Sequence, residues 1–485
     1  MQGRPIILTL MAVILLAASG CTLFDAHAKK ASSMTAYLAG DETTAAADLD
    51  KLLKGGGDEV MWRLENGSLA FYRADYAGAA EHFKAAEEGI AAYDARATVS
   101  LRDVGGATGS LLLNDTSRAY RGSCRDRIAL CLYKSLAYLG AGREDAFRAQ
   151  IRRLRDAQKE AREQYDREDE AADEENNRQR DEHPEIQGDQ LGEETLLNGS
   201  SDYAEAMAQC NSLAADAYAD FLNPAALFLS GLSSLRDGNA DNAAIDFRQM
   251  VAAQPANPTL RQYLRAAQAG AGQDLSAEAA SVPDMPFPLD RRCIYVLFGH
   301  GRTAALNQHQ LYIPVPSGIV PVAWSFCEFY PSPYSGLTVA TGQARSEAGL
   351  LANMDAIMAR EYKLAQPAMV TRIILRATIY AVSGEVIRQS NLNPLAKGLA
   401  LITLSATAAV FNSADTRTWE MLPKALMLAQ VPMPDDRQVT LTLHAAGGFD
   451  KELPVTLAEG FGSAIIYVNA PSLANVSVHV LPLKN

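Results

Sequence analysis

The sequence is poor in the residue types that most often carry chemistry. Its 485 residues include only six cysteines, seven histidines and three tryptophans. These counts leave little room for a multi-ligand metal site and exclude a disulfide-rich scaffold. Positive charge is also scarce, because 44 Lys and Arg stand against 57 Asp and Glu and give a net charge of -13. Since nucleic acids bind proteins through basic phosphate contacts, we expect no nucleic-acid partner.

Motifs of the common hydrolases and nucleotide-binding proteins are missing as well. The sequence has no G-x-S-x-G nucleophile elbow, no two histidines four residues apart for a helical zinc site, and no G-x-x-x-x-G-K-[ST] phosphate loop. Gly299-His300-Gly301 is typical of a hairpin turn. A Cys–His nucleophile built from distant residues stays open. We predict a protein that is not an enzyme and has no catalytic residues, metal or cofactor.

The amino terminus carries an export signal. Arg4 precedes an apolar run, Ile6 to Ala18, that is shorter than a membrane-spanning helix. The run ends in Leu16-Ala17-Ala18-Ser19-Gly20-Cys21, which resembles a bacterial lipobox with alanine where leucine is usual. The resemblance implies that residues 1–20 are a signal peptide and that Cys21 is lipidated, palmitate included. It also implies outer-membrane sorting with the body in the periplasm, because Thr22 and not Asp follows. A plain secretory signal is the alternative.

Five cysteines remain after Cys21. Disulfides form in the oxidising periplasm. Cys293 and Cys327 fall in two strand-like stretches and would form a disulfide if those strands are neighbours. Buried thiols are the alternative. Cys124 and Cys131 are too far apart along one helix to bridge within it.

Residues 35–270, which follow a tether at 21–34, are rich in alanine and have helical periodicity. Two stretches within them share one register, in which a glycine is followed by alanine at +12 and phenylalanine at +16. The residues are Gly67, Tyr76, Ala79 and Phe83 in the first stretch, and Gly231, Ala243, Phe247 and Pro255 in the second. This register resembles the tetratricopeptide repeat, in which the glycine lets two helices approach and the aromatic ring fills the groove. An unrelated alanine-rich bundle is the alternative.

Other parts of the helical half depart from this register. We predict a third helical hairpin from Arg125–Leu139 and a helix beginning near Glu144. A charged insertion at 156–201 follows, and we expect a protruding helix from Ala146 to about Asn177. A solvated helix face is the simpler interpretation of these charges, and an acidic docking surface is the alternative. We interpret Val99–Tyr120 as a long ordered loop.

The second half has a different pattern. Prolines cluster in a predicted linker at 271–288, and residues 289–485 combine strands with two helices, Gly349–Gln389, broken near Pro367, and Pro394–Phe411. We expect Cys293–Phe298 and Gln308–Ile313 to form a hairpin or two edge strands. Ile319–Phe329 and five later runs complete the strand set, namely Ala425–Val431, Val439–His444, Leu453–Leu457, Ala464–Val468 and Val476–Leu481. The order of elements predicts an α+β domain with a mostly antiparallel sheet after an α-helical tetratricopeptide-like half.

Several short motifs point to one protein family. They are Tyr120-Arg121-Gly122, Asn223-Pro224 with Leu229-Ser230-Gly231-Leu232, Ala414-Asp415-Thr416-Arg417-Thr418-Trp419, and Leu422-Pro423. With these motifs the mature chain resembles a functionally uncharacterised family of bacterial lipoproteins with tetratricopeptide-like repeats. Members tend to be encoded beside lipoproteins that activate penicillin-binding proteins. The resemblance implies a setting in the cell envelope.

Four residues are candidates for contact with a partner. Phe71 and Tyr72 belong to the predicted repeat groove, and Arg417 next to Trp419 would stack on a protein or glycan if exposed. A helix end that anchors Trp419 in the core is the simpler interpretation of the second pair. We expect a non-enzymatic lipoprotein that scaffolds or regulates a complex of periplasmic or outer-membrane proteins. The alternatives are an assembly factor for outer-membrane or secretion proteins, and an enzyme or glycan-binding module with its site in 289–485.

Overall fold

A computed structural model describes ten stretches of the chain. They are residues 25–55, 57–100, 119–182, 201–215, 222–255, 257–286, 292–315, 318–400, 414–460 and 462–483. The predicted signal peptide and Cys21 lie outside the described residues, and so do most of the predicted loop at 99–120 and residues 401–413 of the helix predicted at Pro394–Phe411.

Helices fill the described part of the first half. In chain order they are α1 (Ala26–Leu38), α2 (Glu42–Lys54), α3 (Glu59–Tyr72), α4 (Tyr76–Ser100), α5 (Cys124–Gly140), α6 (Glu144–Glu182), α7 (Ser201–Ala215), α8 (Pro224–Arg236), α9 (Ala240–Ala253), α10 (Pro258–Gly270) and α11 (Ala277–Ala280). The Asn-Pro pairs at 223–224 and 257–258 start α8 and α10. In both, the asparagine side chain accepts a helix N–H and the proline takes the first helical position, where its missing N–H costs nothing.

Two helical hairpins of this array pack in the same way. A Cβ atom added at Gly67 of α3 would lie 2.5 Å from Phe83 Cε1 of α4, and one added at Gly231 of α8 would lie 2.5 Å from Phe247 Cε1 of α9. No side chain fits at that distance, so each glycine admits the ring of its partner helix. The alanines and aromatic rings of the shared register are buried, namely Ala79, Phe83, Ala243 and Phe247. The 16-residue spacing therefore corresponds to direct contact in both hairpins.

The third predicted hairpin is formed by α5 and α6. Gly140, near the end of α5, packs against the ring of Tyr76 at the start of α4, since a Cβ there would lie 2.6 Å from Tyr76 Cγ. The charged helix α6 runs for 39 residues, Glu144 to Glu182, which corresponds to about 58 Å. It is longer than the predicted 146–177 segment.

The second half contributes the strands and one long helix. They are β1 (Cys293–His300), β2 (Ala305–Val315), β3 (Gly318–Glu328), β4 (Tyr334–Ala340), β5 (Arg345–Glu347), β6 (Gly349–Asn353), α12 (Met354–Gln389), β7 (Ala425–Pro432), β8 (Gln438–Ala445), β9 (Asp450–Thr456), β10 (Ser463–Ala470) and β11 (Ser477–Leu483). They form a five-stranded sheet in the order β11-β10-β1-β7-β6, a four-stranded sheet in the order β5-β4-β8-β9, and a β2-β3 ribbon. Strands β1 and β10 pair in parallel, and the other described pairs are antiparallel.

The five-stranded sheet is covered on both faces. Along β1, Ile294, Val296 and Phe298 enter a core shared with the four-stranded sheet. Tyr295 and Leu297 point the other way, into a core shared with the helices. Every residue of β1 and β10 is buried, which explains their continuous apolar sequences. The layers are therefore helices, five-stranded sheet and four-stranded sheet.

Three details differ from the sequence-based expectations. Strand β1 is the centre of a sheet and not part of a hairpin with β2, because β7 and β10 supply both of its neighbours. The short strands β4, β5 and β6 were not predicted. Pro367 lies inside α12 and does not end it.

One hydrophobic core joins the two halves. It includes side chains of α1, α3, α5 and α8 together with side chains of β1, β7 and β10. The predicted linker is itself ordered up to residue 286, where Arg265 of α10 pairs with Asp284 at 2.6 Å. The boundary at 271–288 thus separates two types of secondary structure that share a core.

The two glycines offer a test of this packing. We expect Gly67→Ala and Gly231→Ala each to lower the free energy of unfolding by about 1–3 kcal/mol, because the added methyl group displaces a buried ring. Gly398→Ala is the matched control, since nothing lies within 4 Å of a Cβ at that helical position. Urea unfolding followed by circular dichroism measures all three variants, and equal stability of the three would contradict this packing.

Candidate functional site

The densest set of polar contacts surrounds residues 414–424, here called the central segment. It has neither helical nor strand structure, yet most of it is buried between the helices and the five-stranded sheet. Buried backbone that lacks a ladder partner must find hydrogen bonds elsewhere. Side chains of α1, α3 and α5 supply them.

Glu65 of α3 provides the hydrogen-bond acceptors that a neighbouring strand would otherwise provide. Its two carboxylate oxygens accept the backbone N–H groups of Glu420 and Met421, at 2.9 and 3.0 Å. One turn further along α3 the indole N–H of Trp419 donates to Ser68 Oγ at 2.9 Å. Tyr72, at the end of α3, donates to the carbonyl oxygen of Met421 at 2.8 Å. Three side chains of helix α3 therefore hold the central segment through hydrogen bonds, two of them to its backbone.

Lys30 of α1 neutralises the two carboxylates nearby. Its ammonium lies 3.0 Å from Glu65 and 2.8 Å from Glu420, and all three side chains are buried. It also donates to the carbonyl oxygen of Thr418. Burial acts to raise the pKa of Glu420, but Lys30 and His27 outweigh it and lower that pKa to about 2. The carboxylate is therefore charged, as the ion pair requires.

Arg125 of α5 binds the segment from the other side. Its guanidinium donates to Thr418 Oγ1 at 2.8 Å and to the carbonyl oxygen of Trp419 at 3.0 Å. Asp126 holds the same guanidinium at 2.8 Å. Glu361 of α12 caps α5 by accepting the N–H of Cys124 at 2.6 Å. The charges in this part of the core are thus matched with one another.

The structure changes the interpretation of Arg417 and Trp419. Both are buried. Arg417 pairs with Asp415 at 2.7 Å and with Asp58 at 2.8 Å, and Trp419 packs against Phe83 with ring centroids 5.8 Å apart. Neither presents a stacking surface to a partner. The simpler interpretation, in which Trp419 anchors the core, agrees with these contacts.

Phe71 and Tyr72 are likewise inaccessible. The predicted groove is filled by an aromatic cluster in which Phe71 lies 5.3 Å from Tyr467 between ring centroids and Tyr72 stacks on Tyr37 at 5.8 Å. Tyr133 and Tyr467 share a hydrogen bond of 2.7 Å beneath them. The prediction that Phe71 and Tyr72 contact a partner does not fit their position, because the sheet of the same chain covers them.

Cys293 and Cys327 are not joined by a disulfide. They belong to different cores, Cys293 to the helix–sheet core and Cys327 to a smaller one around α7 and the β2-β3 ribbon. Their strands are not neighbours, so the condition for pairing fails. Cys327 instead lies against the thiol of Cys210 in α7, and burial together with that contact raises the pKa of Cys327. The alternative of buried thiols agrees with this arrangement.

One hydrogen-bonded relay has the connectivity of a catalytic triad. Thr338 Oγ1 lies 2.8 Å from His444 Nε2, and His444 Nδ1 lies 2.8 Å from Asp450 Oδ1. All three are on strands of the four-stranded sheet. Thr338 is buried, and its strand is paired on both sides, so neighbouring backbone N–H groups have ladder partners. A hydrolase needs an accessible nucleophile and oxyanion donors, and this relay offers neither.

The hydrogen bond between His300 and Ser332 also has a structural role. His300 Nδ1 lies 2.6 Å from Ser332 Oγ, and the hydroxyl donates to the carbonyl oxygen of Tyr334 at 2.8 Å. The serine therefore holds a loop. No group of three or more His, Cys, Asp or Glu in the described ranges is arranged to hold a metal ion.

Few features of the sequence point to this site. Lys30, Glu65 and Glu420 lie in unrelated parts of the chain, and each is an ordinary charged residue in a helical or loop-like context. The stretch from Ala414 to Trp419 is the one part of the site that the sequence marks as a motif, and its residue types indicate no particular reaction or ligand. Its role is to bring backbone polar groups into the core.

Removing Lys30 tests the charge balance. We expect Lys30→Met to cost about 3–5 kcal/mol, because the buried carboxylate of Glu65 loses its counter-charge and Glu420 keeps only its contacts with His27 and Arg302. Lys51→Met is the control, since Lys51 forms an exposed pair with Asp48 and such pairs contribute about 0–1 kcal/mol. Chemical denaturation at neutral pH compares the two. Similar stabilities would show that the buried pair does not hold the central segment.

Acid should destabilise the protein through two histidines. Burial, helped by Lys424, lowers the pKa of His300 to about 4, and burial lowers that of His479 to about 4. The unfolded chain takes up these protons near pH 6.5, so stability is complete above that pH and declines as the pH falls toward 4. At pH 5 the loss is at most about 2 kcal/mol per histidine.

Urea unfolding at pH 7 and pH 5 measures this loss. The double variant His300→Gln and His479→Gln should lose less stability than the natural sequence between these two pH values. The window lies above that of Glu420, whose contribution is lost only between pH 4.5 and about 2. An identical loss in both proteins would exclude the histidines as its source.

Comparisons with known proteins add no relative. No family model, curated protein or solved structure matches the chain. The resemblance to repeat-containing lipoproteins therefore stays a prediction.

Proposed function

We propose that this protein is a non-enzymatic outer-membrane lipoprotein that scaffolds or regulates a periplasmic protein complex. One observation carries the proposal: in the hairpins α3-α4 and α8-α9 a glycine packs against the ring of a phenylalanine 16 residues later, so closely that a Cβ on either glycine would lie 2.5 Å from the ring. This contact supports an assignment as tetratricopeptide-like repeats, whose use is recognition of other proteins.

The partner would bind outer surfaces and not the inner face of the hairpins. The central segment already occupies that inner face, and Glu65, Lys30 and Arg125 are committed to it. The helix α6 is the best candidate for docking, because its charged part from residue 156 onward includes exposed charged side chains. Lys159 and Glu163 are examples, with more than half of each side chain exposed. Charged rims of this kind fix orientation and speed association.

The proposed cellular location rests on the lipobox and the family resemblance. Both favour the periplasmic side of the outer membrane, and the resemblance favours envelope or peptidoglycan biogenesis. An assembly factor for outer-membrane or secretion proteins is the rival within the same class. An enzyme or glycan-binding module in 289–485 is the rival from another class, and Thr338 in the triad-like relay is the residue through which to test it.

Lipidation is tested first. We expect the natural chain to incorporate labelled palmitate and Cys21→Ala to incorporate none, because the acyl acceptor is the thiol of residue 21. Covalent labelling is preferred to sedimentation since it does not respond to other membrane contacts. Cys124→Ala, at a buried position, is the control and should keep the label. Equal labelling of Cys21→Ala would contradict the lipobox assignment.

Site-specific crosslinking tests the scaffold. Photoreactive residues at Lys159, Arg162 and Asp166 of α6 should capture one or a few envelope proteins, identified by mass spectrometry. Phe449, exposed in the turn between β8 and β9, is the matched control position. Capture from neither surface would contradict the scaffold. Hydrolysis of peptidoglycan fragments by the purified protein, lost in Thr338→Val, would establish the enzyme instead.

A further inference from the structure

Two cysteines that are far apart in the sequence meet in one small core. Cys210 lies on α7 and Cys327 lies near the end of β3, and both side chains are buried. The core around them is formed by α7, α12 and the β2-β3 ribbon, and it is a separate cluster from the two larger cores. Within it the thiol groups of the two cysteines share a hydrogen bond.

The sequence of α7 places Cys210 on the buried face of this helix. Tyr203, Met207, Cys210 and Ala214 are spaced by three or four residues, which is the helical period, and all four are buried in this core. The residues between them are exposed or half-buried. The direction of the Cys210 thiol is therefore set by the face that α7 buries.

Polar and aromatic contacts fix how α7 packs on its neighbours. The side-chain amide of Gln366 in α12 donates to the hydroxyl of Tyr203 at 2.9 Å. The ring of Tyr203 packs edge-on against Trp324 of β3, with ring centroids 5.0 Å apart. Cys210 Sγ donates to the carbonyl oxygen of Ala359 in α12 at 3.5 Å. These contacts hold α7 in one register against β3 and α12, so the two thiols meet at a defined place.

The contact makes the two thiols unequal. The hydrogen bond from Cys327, together with the charge of Lys363, lowers the pKa of Cys210. Burial and the same contact raise the pKa of Cys327. Since the thiolate is the species that attacks a disulfide, Cys327 is unreactive once it is buried. Oxidation of this pair therefore belongs to the stage of folding before α7 packs on β3.

We propose that Cys210 and Cys327 form a disulfide when the chain folds in an oxidising compartment, and that this bond ties α7 to β3. The proposal rests on the export part of the proposed function, because disulfides persist in the periplasm and are rare in the cytosol. We expect Cys124, Cys131 and Cys293 to stay thiols. The first two are too far apart along α5 to bridge within it, and Cys293 lies in the helix–sheet core.

The oxidant is a protein or small molecule that carries a reactive disulfide. One cysteine of the pair, as its thiolate, attacks that disulfide, so that a mixed disulfide forms and one thiolate of the oxidant leaves. The second cysteine loses its proton and attacks the sulfur of the first, and the second thiolate of the oxidant leaves. The two thiols thereby lose two protons and two electrons, and the disulfide of the oxidant is reduced to two thiols.

Cysteine mapping of the natural chain, purified from bacterial envelopes, tests the proposal. The denatured protein is alkylated with one reagent, reduced, and alkylated with a second reagent before peptide mass spectrometry. We expect Cys210 and Cys327 to carry the second label, and Cys124, Cys131 and Cys293 to carry the first. The first label on Cys210 and Cys327, or a bond between Cys327 and Cys293, would overturn the proposal.

Refolding in vitro separates failure of this proposal from failure of the proposed function. The mature chain, made as Cys21→Ala without residues 1–20, is refolded with oxidised glutathione, which needs no export. Formation of the Cys210–Cys327 bond supports the proposal even where the chain in cells keeps residues 1–20, a result that would contradict the proposed function alone. Refolded protein in which both cysteines remain thiols would overturn the proposal even where palmitate labelling supports export.

Thermal melting with and without reductant measures what the bond does. Reduction should lower the Tm of the oxidised chain by about 5 °C, because the bond closes a loop of more than 100 residues. Cys210→Ala combined with Cys327→Ala should show no response to reductant. Cys131→Ala, at another buried cysteine, is the matched control and should respond as the natural sequence does. An equal response of the double variant and the natural sequence would contradict the proposed bond.

Discussion

The bidentate contact of Glu65 with two consecutive backbone N–H groups is the interaction on which the rest of the structure depends. A carboxylate in the core is costly unless it is paired and hydrogen-bonded, and Lys30 and the central segment meet both needs. The same contact fixes the central segment against α3. Strand β7, which begins at Ala425 directly after the segment, is thereby aligned beside β1. Helices and sheet are thus joined by polar contacts as well as by apolar packing.

The sequence predicted local structure well and long-range structure poorly. The 16-residue spacing of Gly67 and Phe83 was readable because both residues belong to one hairpin. Most strands of the second half were found from their apolar runs. The position of β1 at the centre of the five-stranded sheet cannot be predicted in this way. A strand buried on both faces has the same apolar sequence whatever its neighbours are. Lys30 and Glu420 form a buried ion pair although they are 390 positions apart in the sequence, and no local pattern predicts such a pair.

The candidate residues show the same difference between local and long-range structure. Gly67 and Gly231 pack against the rings of Phe83 and Phe247, as the shared register predicts. The prediction of an open groove at Phe71 and Tyr72 assumes that nothing else in the chain fills it. The chain fills that groove with its own sheet, so the inner face of the hairpins is closed to a partner.

The parallel pairing of β1 with β10 has a consequence for how the protein is made. The two strands are about 170 positions apart, and β7 reaches β1 only from residue 425 onward. The centre of the sheet therefore cannot form until nearly the whole chain is present, and pairings of such long range form slowly. The topology thus delays assembly of the central sheet, and of the helix–sheet core that packs on it, until nearly the whole chain has been made.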